Sequence, residues 1–77
     1  MKIEMFGTGC AKCKRLEKNV KEALDQAGIK AEVVKIEDID AITDRGIMVT
    51  PALAIDGLVR FMGKVPPVVE LIEMLKE

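Results

Sequence analysis

The spacing of hydrophobic residues first predicts a strand and then a long helix. Residues Met1 to Phe6 alternate as a short strand does, and Gly7-Thr8-Gly9 then breaks the alternation. After this break, apolar residues recur three or four positions apart, along one face of a helix. They are Cys13, Leu16, Val20, Leu24 and Ala27. Gly28 suits a left-handed cap where this helix ends.

Shorter elements follow the long helix. Ala31 to Ile36 is rich in β-branched residues and predicts a second strand. Asp38 or Asp40 suits the N-cap of a short helix that ends near Gly46. The apolar residues of this short helix are Ile39 and Ile42.

The last third of the sequence predicts a hairpin and a final helix. Ala52 to Ile55 and Leu58 to Met62 are the third and fourth predicted strands, since Asp56-Gly57 between them is a strong signal for a two-residue hairpin turn. Gly63 breaks the fourth strand. Pro66-Pro67 suits a helix entrance. Apolar residues at helical spacing follow it: Val68, Leu71, Ile72 and Leu75.

The predicted element order is therefore β-α-β-α-β-β-α, which indicates an α/β fold. The strand–helix–strand opening favours a parallel pair joined by a right-handed crossover, and the hairpin adds two antiparallel strands. Helices must cover the resulting four-stranded mixed sheet, because their apolar stripes need partners. A length of 77 residues is enough for one domain, residues 1–77, and not for two.

Charge and composition argue against several classes of partner. Twelve basic and thirteen acidic residues leave a formal charge of −1, which provides no general attraction to nucleic acid or anionic membranes. Two Phe and no Trp or Tyr offer few rings for base stacking. No apolar run approaches the roughly 20 residues that span a bilayer, and the first residues lack the apolar centre of a signal peptide. We therefore expect a cytoplasmic protein that binds neither nucleic acid nor membranes.

The two cysteines, Cys10 and Cys13, offer the most reactive chemistry in the sequence. A disulfide between them would close so short a loop that it contributes only about 2 kcal/mol, which favours a redox role over a structural one. Cys10 stands at the start of the long helix, where N–H groups and the helix dipole favour the thiolate. Lys12, Lys14 and Arg15 are close in sequence and can add to this positive field. We expect Cys10 to be the nucleophile and Cys13, on the apolar stripe, to be the resolving thiol.

Two thiols at this spacing also occur in metal sites. Structural zinc needs four ligands, and with no His and no other Cys the chain would need a dimer to supply them. Two thiolates suffice for Cu(I), so a soft-metal carrier similar to copper chaperones is the alternative function. Those carriers follow the order β-α-β-β-α-β and normally have Met shortly before the first cysteine, where this chain has Gly7-Thr8-Gly9. A third hypothesis is a non-catalytic scaffold in which the cysteines are incidental.

A family resemblance rests on two motifs. Cys10-Ala11-Lys12-Cys13 after the first strand, with Val49-Thr50-Pro51-Ala52 before the third, resembles the thioredoxin/glutaredoxin superfamily over nearly the whole chain. The similarity extends to its small single-domain archaeal and bacterial redox-active disulfide proteins. It implies a minimal thioredoxin fold with strand order 2-1-3-4, whose reversible Cys10–Cys13 dithiol/disulfide reduces protein disulfides without another cofactor or a metal. It also implies a cis Thr50–Pro51 bond, with Pro51 packed against the cysteines and the Thr50 backbone pairing with an extended substrate segment.

The resemblance also implies partners, and the sequence departs from the family pattern near the cysteines. The expected partners are protein disulfides and a reductase, either of the flavin-dependent thioredoxin-reductase type or ferredoxin-dependent, acting on a monomer. Gly9 replaces the thioredoxin tryptophan, and Ala11-Lys12 replaces Gly-Pro, so these residues support the site without fixing its redox potential. Gly63 stands alone where glutaredoxins carry a glycine pair, so glutathione binding is not implied.

Three further features have two interpretations each. Glu4 stands near the place of the buried proton-transfer acid of thioredoxins, but its strand position beside Lys2 favours a solvated or salt-bridged surface residue. Met48 and Met62 either flank the site as adaptable apolar contacts or belong to the core. A run of basic residues forms either a docking patch for an acidic partner or a solvated helix face: Lys12, Lys14, Arg15 and Lys18.

Overall fold

The computed structural model describes residues 1–9 and 11–76, so the expectations for Cys10 lie outside the described residues. Within these ranges the chain forms four strands and three helices, in the predicted order β-α-β-α-β-β-α. The strands are β1 (Lys2–Phe6), β2 (Glu32–Ile36), β3 (Ala52–Ile55) and β4 (Leu58–Met62). The helices are α1 (Ala11–Ala27), α2 (Ile39–Asp44) and α3 (Val68–Lys76).

The strands form one mixed sheet in the order β2-β1-β3-β4, as the resemblance implied. β1 and β2 are parallel and are connected through α1, while the pairs β1–β3 and β3–β4 are antiparallel. β1 is therefore a central strand, in which Met5 lies level with Lys35 on one side and Leu53 on the other. The carboxyl end of β1 leads into α1, and this end of the sheet carries the candidate site.

The central position of β1 buries both of its faces. Ile3 and Met5 belong to the main core, which α1 and α3 cover. Phe6 belongs to a second, smaller cluster with Ile42 of α2. A strand that is buried on both sides accommodates a polar side chain only where that side chain has a partner. This constraint decides the position of Glu4, described below.

The predicted hairpin and the predicted short helix are both confirmed. Asp56 and Gly57 have φ values of 51° and 87°, and both are positive as a type I′ hairpin turn requires. Asp38 is the N-cap of α2, where its carboxylate accepts a hydrogen bond from the Asp40 N–H at 3.2 Å. The hairpin turn and the helix cap therefore lie at the positions that the sequence predicts.

The buried face of α1 differs from the predicted stripe. Ala23 is fully buried, whereas Leu24 is only half-buried and packs at the margin of the main core. Burial extends from the predicted stripe to Ala23 because α1 packs against α3 as well as against the sheet. The buried face of α1 is therefore wider than the predicted stripe. In the shorter α2, Ile42 is buried, whereas Ile39, the first residue of the helix, is 66% exposed.

The observed order separates this chain from the copper-chaperone alternative. Helix α2 stands between β2 and β3, where the order of those carriers has two consecutive strands. Across residues 1–9 and 11–76, no helix has both the length and the apolar character needed to cross a membrane.

Candidate active site

The candidate site begins where β1 gives way to α1. The helix starts at Ala11, directly after Cys10 in the sequence, and both Ala11 and Lys12 are exposed. Cys13 lies in the first turn of α1 and is half-buried. Its side chain is thus less exposed than those of its sequence neighbours Lys12 and Lys14. Cys10 itself lies outside the described residues.

Gly7 lies directly against the Cys13 side chain. A Cβ on Gly7 would overlap the Cys13 Sγ and would stand 3.1 Å from the Cys13 Cβ. The Gly7 N–H donates to the Ile36 carbonyl oxygen at 3.0 Å, which extends the β1–β2 hydrogen bonding by one residue. The Cys13 thiol therefore rests on a buried piece of backbone that is anchored to the sheet.

The loop before β3 brings a cis proline to the same place. The Thr50–Pro51 peptide bond is cis, as the resemblance implied, and Pro51 is buried while Thr50 is half-buried. The Pro51 carbonyl oxygen accepts a hydrogen bond from the Gly63 N–H at 2.8 Å. A Cβ on Gly63 would come within 2.8 Å of the Val49 Cγ1, so the absence of a side chain there lets β4 approach this loop.

A cleft of about 260 Å³ joins these parts of the site. Cys13, Gly7, Gly9 and Pro51 all line it. Its fully buried side-chain lining is apolar and includes Leu16 of α1. The structure therefore places Cys13, predicted as a site residue from its spacing, and Pro51, implied by the resemblance, in the wall of one cavity.

Charged side chains stand at the α1–β2 side of this cleft. Glu17 accepts from Lys35 of β2 and from Lys21, each at 3.1 Å. The hydrogen bond from Lys21, followed by that from Lys35, lowers the pKa of Glu17 below its ordinary value. The ion pair between Glu17 and Lys35 thus links α1 to β2 at the wall of the cleft that Cys13 also lines.

The start of α1 carries a positive surface. Its first turn contains no acidic residue, and Lys12, Lys14 and Arg15 are all exposed. The N-terminal end of a helix is itself positive, so these cations add to its field. An anion such as a thiolate is favoured near this end.

An exposed apolar surface lies on the loop that leads to Pro51 and on the neighbouring end of β4. Met48 is 88% exposed, Val49 is 53% exposed and Met62 is 46% exposed. The core interpretation of Met48 and Met62 is therefore wrong. Both methionines are available for contact with another molecule next to the cis proline.

Glu4 is buried, so the prediction of a surface residue is wrong. Its side chain is only 10% exposed, and its Oε2 accepts from the Arg45 Nη1 at 2.7 Å. The Arg45 guanidinium also lies 5.3 Å from the centre of the Phe6 ring. The prediction failed because α2 and the loop after it cover the face of β1 that carries Glu4. Glu4 is salt-bridged, but its carboxylate is buried and its partner is the partly exposed Arg45.

The ion pair determines the charge state of Glu4. The hydrogen bond from Arg45 is the largest influence and lowers the pKa of Glu4 below its ordinary value of 4.5, while burial opposes it and Lys2 assists. A proton-transfer acid works best with a pKa near the operating pH. Glu4 is held as a carboxylate at neutral pH, which disfavours the role of the proton-transfer acid considered from the sequence.

The ion pair leads to a prediction about acid stability. Because the pKa of Glu4 is lower in the folded chain, its contribution to stability is present above about pH 4.5 and is lost as the pH falls through the lowered value. A Glu4→Gln variant should be less stable than the parent at pH 7 and should lose less stability between pH 7 and strongly acidic pH. Urea unfolding at a series of pH values measures both effects. The exposed Glu73→Gln is the matched control, and an equal acid response in the Glu4 and Glu73 variants would contradict the assignment.

Sequence reasoning missed Gly7 and Arg45. The contact of Arg45 with Glu4 was not predicted because the two residues lie 41 positions apart, and no periodic pattern links residues at that separation. The sequence predicts Gly7 only as part of a turn. Gly9, with a φ of 84°, provides the left-handed conformation there, whereas Gly7 has no positive φ. Two glycines in a turn that needs one were the available signal for a close contact.

Comparisons with known proteins support the family resemblance. A family model described as a thioredoxin domain matches residues 1–76. The chain is 45% identical over 75 residues to a thioredoxin of Methanothermobacter thermautotrophicus, covering 97% of each chain. It is 46% identical over 74 residues to a thioredoxin of Methanocaldococcus jannaschii, covering 96% of this chain and 85% of that one. A probable thioredoxin of Methanothermobacter marburgensis is 38% identical over 81 aligned positions.

Proposed function

The chain belongs to the thioredoxin family and is a thiol–disulfide oxidoreductase, and from that premise we propose how its own residues carry the reaction. Cys10 is the nucleophile and Cys13 is the resolving thiol of a reversible dithiol/disulfide. The pair reduces disulfides in proteins, and it needs no organic cofactor and no metal. Gly9 precedes Cys10, and Ala11 and Lys12 separate the two cysteines in the sequence.

The reaction consists of two thiol–disulfide exchanges. In the first, the Cys10 thiolate attacks one sulfur of a substrate disulfide; that S–S bond breaks, a mixed disulfide forms, and one substrate sulfur leaves as a thiolate. In the second, the Cys13 thiolate attacks the Cys10 sulfur; the mixed disulfide breaks, the Cys10–Cys13 disulfide forms, and the second substrate sulfur leaves. Two electrons pass to the substrate, and the two protons of the protein thiols end on the substrate thiols through water.

The proposal rests on one observation: Cys13 and the cis Pro51 line the same cleft at the start of a helix. The exposed cations Lys12, Lys14 and Arg15 give this helix end a positive surface, which favours a thiolate nucleophile. The half-buried position of Cys13 suits a thiol that acts second, since an incoming substrate reaches it less easily than an exposed one.

Substrate binding follows from the surface beside Pro51. The half-buried Thr50 offers its backbone to an extended segment of the substrate protein. Met48 and Met62 flank that position as exposed, flexible apolar side chains that adapt to different partners. A reductase of the thioredoxin-reductase type or a ferredoxin-dependent one then returns two electrons to the disulfide. We propose that the protein works as a monomer in the cytoplasm.

Thiol titration across a redox buffer series tests the proposal. The chain contains two cysteines, so the reduced protein should present two reactive thiols and the oxidised protein none, with full reversal on addition of a dithiol. A Cys13→Ser variant has one thiol and should show no intramolecular change. The proposal fails if the parent thiols never interconvert, and stoichiometric copper in anaerobically purified protein would instead favour the soft-metal carrier.

A further inference from the structure

We propose that Gly7 is a positioning residue for the resolving step: because it lacks a side chain, the Cys13 sulfur can occupy the place from which it attacks the mixed disulfide. This inference rests on the proposed function, in which Cys13 is the resolving thiol. Gly7 touches no substrate atom in this scheme and acts only through the position of the Cys13 sulfur.

The contact leaves no room for a side chain between the Gly7 backbone and the Cys13 sulfur. A Cβ at position 7 would overlap the Cys13 Sγ and would crowd the Cys13 Cβ at 3.1 Å. Position 7 cannot retreat easily, because its N–H is bonded to the Ile36 carbonyl oxygen at 3.0 Å and the residue is buried. The antiparallel pairing of Phe6 with Ala52 also holds the preceding residue in the sheet. A methyl group at position 7 must therefore displace the Cys13 side chain.

Displacing the sulfur affects one step of the reaction and spares the other. The first exchange uses the Cys10 sulfur and the substrate disulfide, and the Cys13 sulfur does not enter it. In the second exchange the Cys13 sulfur must approach the Cys10 sulfur in line with the bond that breaks. Reactions of this kind lose rate steeply when a reacting atom is misplaced, by about 100-fold for an error of about 1 Å. Gly7→Ala should therefore slow resolution and leave the first attack unchanged.

A double-mutant cycle tests the contact itself. The four proteins are the parent, Gly7→Ala, Cys13→Ala and the double variant, all reduced and unfolded with urea. Overpacking by one methyl group should raise the unfolding equilibrium constant about tenfold or more in the parent. In the Cys13→Ala background the overlapping sulfur is gone and only the crowding of the Cβ at 3.1 Å remains. The same substitution should then have a smaller effect, of about two- to threefold. Equal effects in the two backgrounds would overturn the inference.

A kinetic measurement then tests the role in resolution. The parent and Gly7→Ala are mixed with a disulfide-containing model peptide, and formation and decay of the mixed disulfide are followed by acid quench and mass spectrometry. We expect decay to slow about 10- to 100-fold with the rate of formation unchanged. Gly28→Ala is the control for general destabilisation, because its φ of 66° makes alanine strained there while its Cβ would touch nothing within 4 Å. This control should leave both rates as in the parent.

The two measurements separate failure of the inference from failure of the proposed function. Coupling in the stability cycle with unchanged decay would show that Gly7 accommodates Cys13 without positioning it for reaction, and this overturns the inference. If the parent forms no mixed disulfide, the proposed function fails, and with it the inference that depends on a resolving Cys13. If the first attack slows as much as resolution, the contact disturbs the whole site and Gly7 has no specific role.

Discussion

A Cys13→Ser variant is expected to accumulate mixed disulfides with its protein substrates through Cys10 and to lose at least about 10³-fold of its turnover. The reaction stops after the first exchange, because a serine hydroxyl does not replace a thiolate in attack on a disulfide. A well-oriented internal group acts at an effective concentration of about 10⁵ M or more, so millimolar external thiol replaces it poorly. Non-reducing gels and mass spectrometry of partners recovered from cell extract measure the accumulation.

The matched control is Cys10→Ser, which keeps Cys13 and should trap nothing under the same conditions. Trapping by Cys10→Ser with none by Cys13→Ser would reverse the proposed order of the two thiols. Absence of trapping by either variant would contradict a mechanism that passes through a mixed disulfide. The same experiment identifies the substrate proteins, since each remains linked to the variant.

A Leu16→Ala variant is expected to lose about 2–5 kcal/mol of the free energy of unfolding. Leu16 is 1% exposed, belongs to the main core and lines the cleft beside Cys13. Proteins have only about 0.05–0.15 kcal/mol of stability per residue, so a loss of this size is a large fraction of the total for a chain of 77 residues. Urea unfolding monitored by far-ultraviolet circular dichroism measures the change, since the protein contains no Trp or Tyr to report by fluorescence.

Leu58→Ala is the matched control for Leu16→Ala. Leu58 is 65% exposed at the start of β4, so the same change of side chain removes little buried surface there. We expect its effect to stay within about 0.5 kcal/mol. Similar losses in the two variants would contradict the assignment of Leu16 to the core.

Local features of the fold were predictable because their causes lie within a few residues of each other. The long helix that contains Cys13, the Asp56-Gly57 turn and a capped short helix each depend on neighbouring positions, and the structure contains all three elements. Of the two predicted candidates for the cap, Asp38 and Asp40, the structure has Asp38. The strand order and the cis Thr50–Pro51 bond came from the family resemblance instead. A cis X–Pro bond occurs in only about 5–6% of cases, so the sequence alone gives no physical reason to expect it.

Burial on the second face of β1 was not predictable from the sequence. An alternating strand with Lys2 and Glu4 on one face is typical of a strand with a solvated side. In the folded chain that face is covered, since Phe6 packs with Ile42 of α2 and Glu4 meets Arg45. Which face of a strand is covered depends on where a distant helix packs, and the period of the strand carries no information about that.

Two features of this protein could be predicted from its residues alone: a pair of thiols spaced CxxC at the expected start of a helix, and the order of elements around it. Those follow from spacing, turn residues and propensity, which act over short separations. Three other features became visible only in the folded chain: Gly7 makes room for the Cys13 sulfur, Arg45 pairs with the buried carboxylate of Glu4, and Cys13 and Pro51 line one cleft. Each of these depends on residues from separate elements meeting in space, which requires the packed sheet and helices.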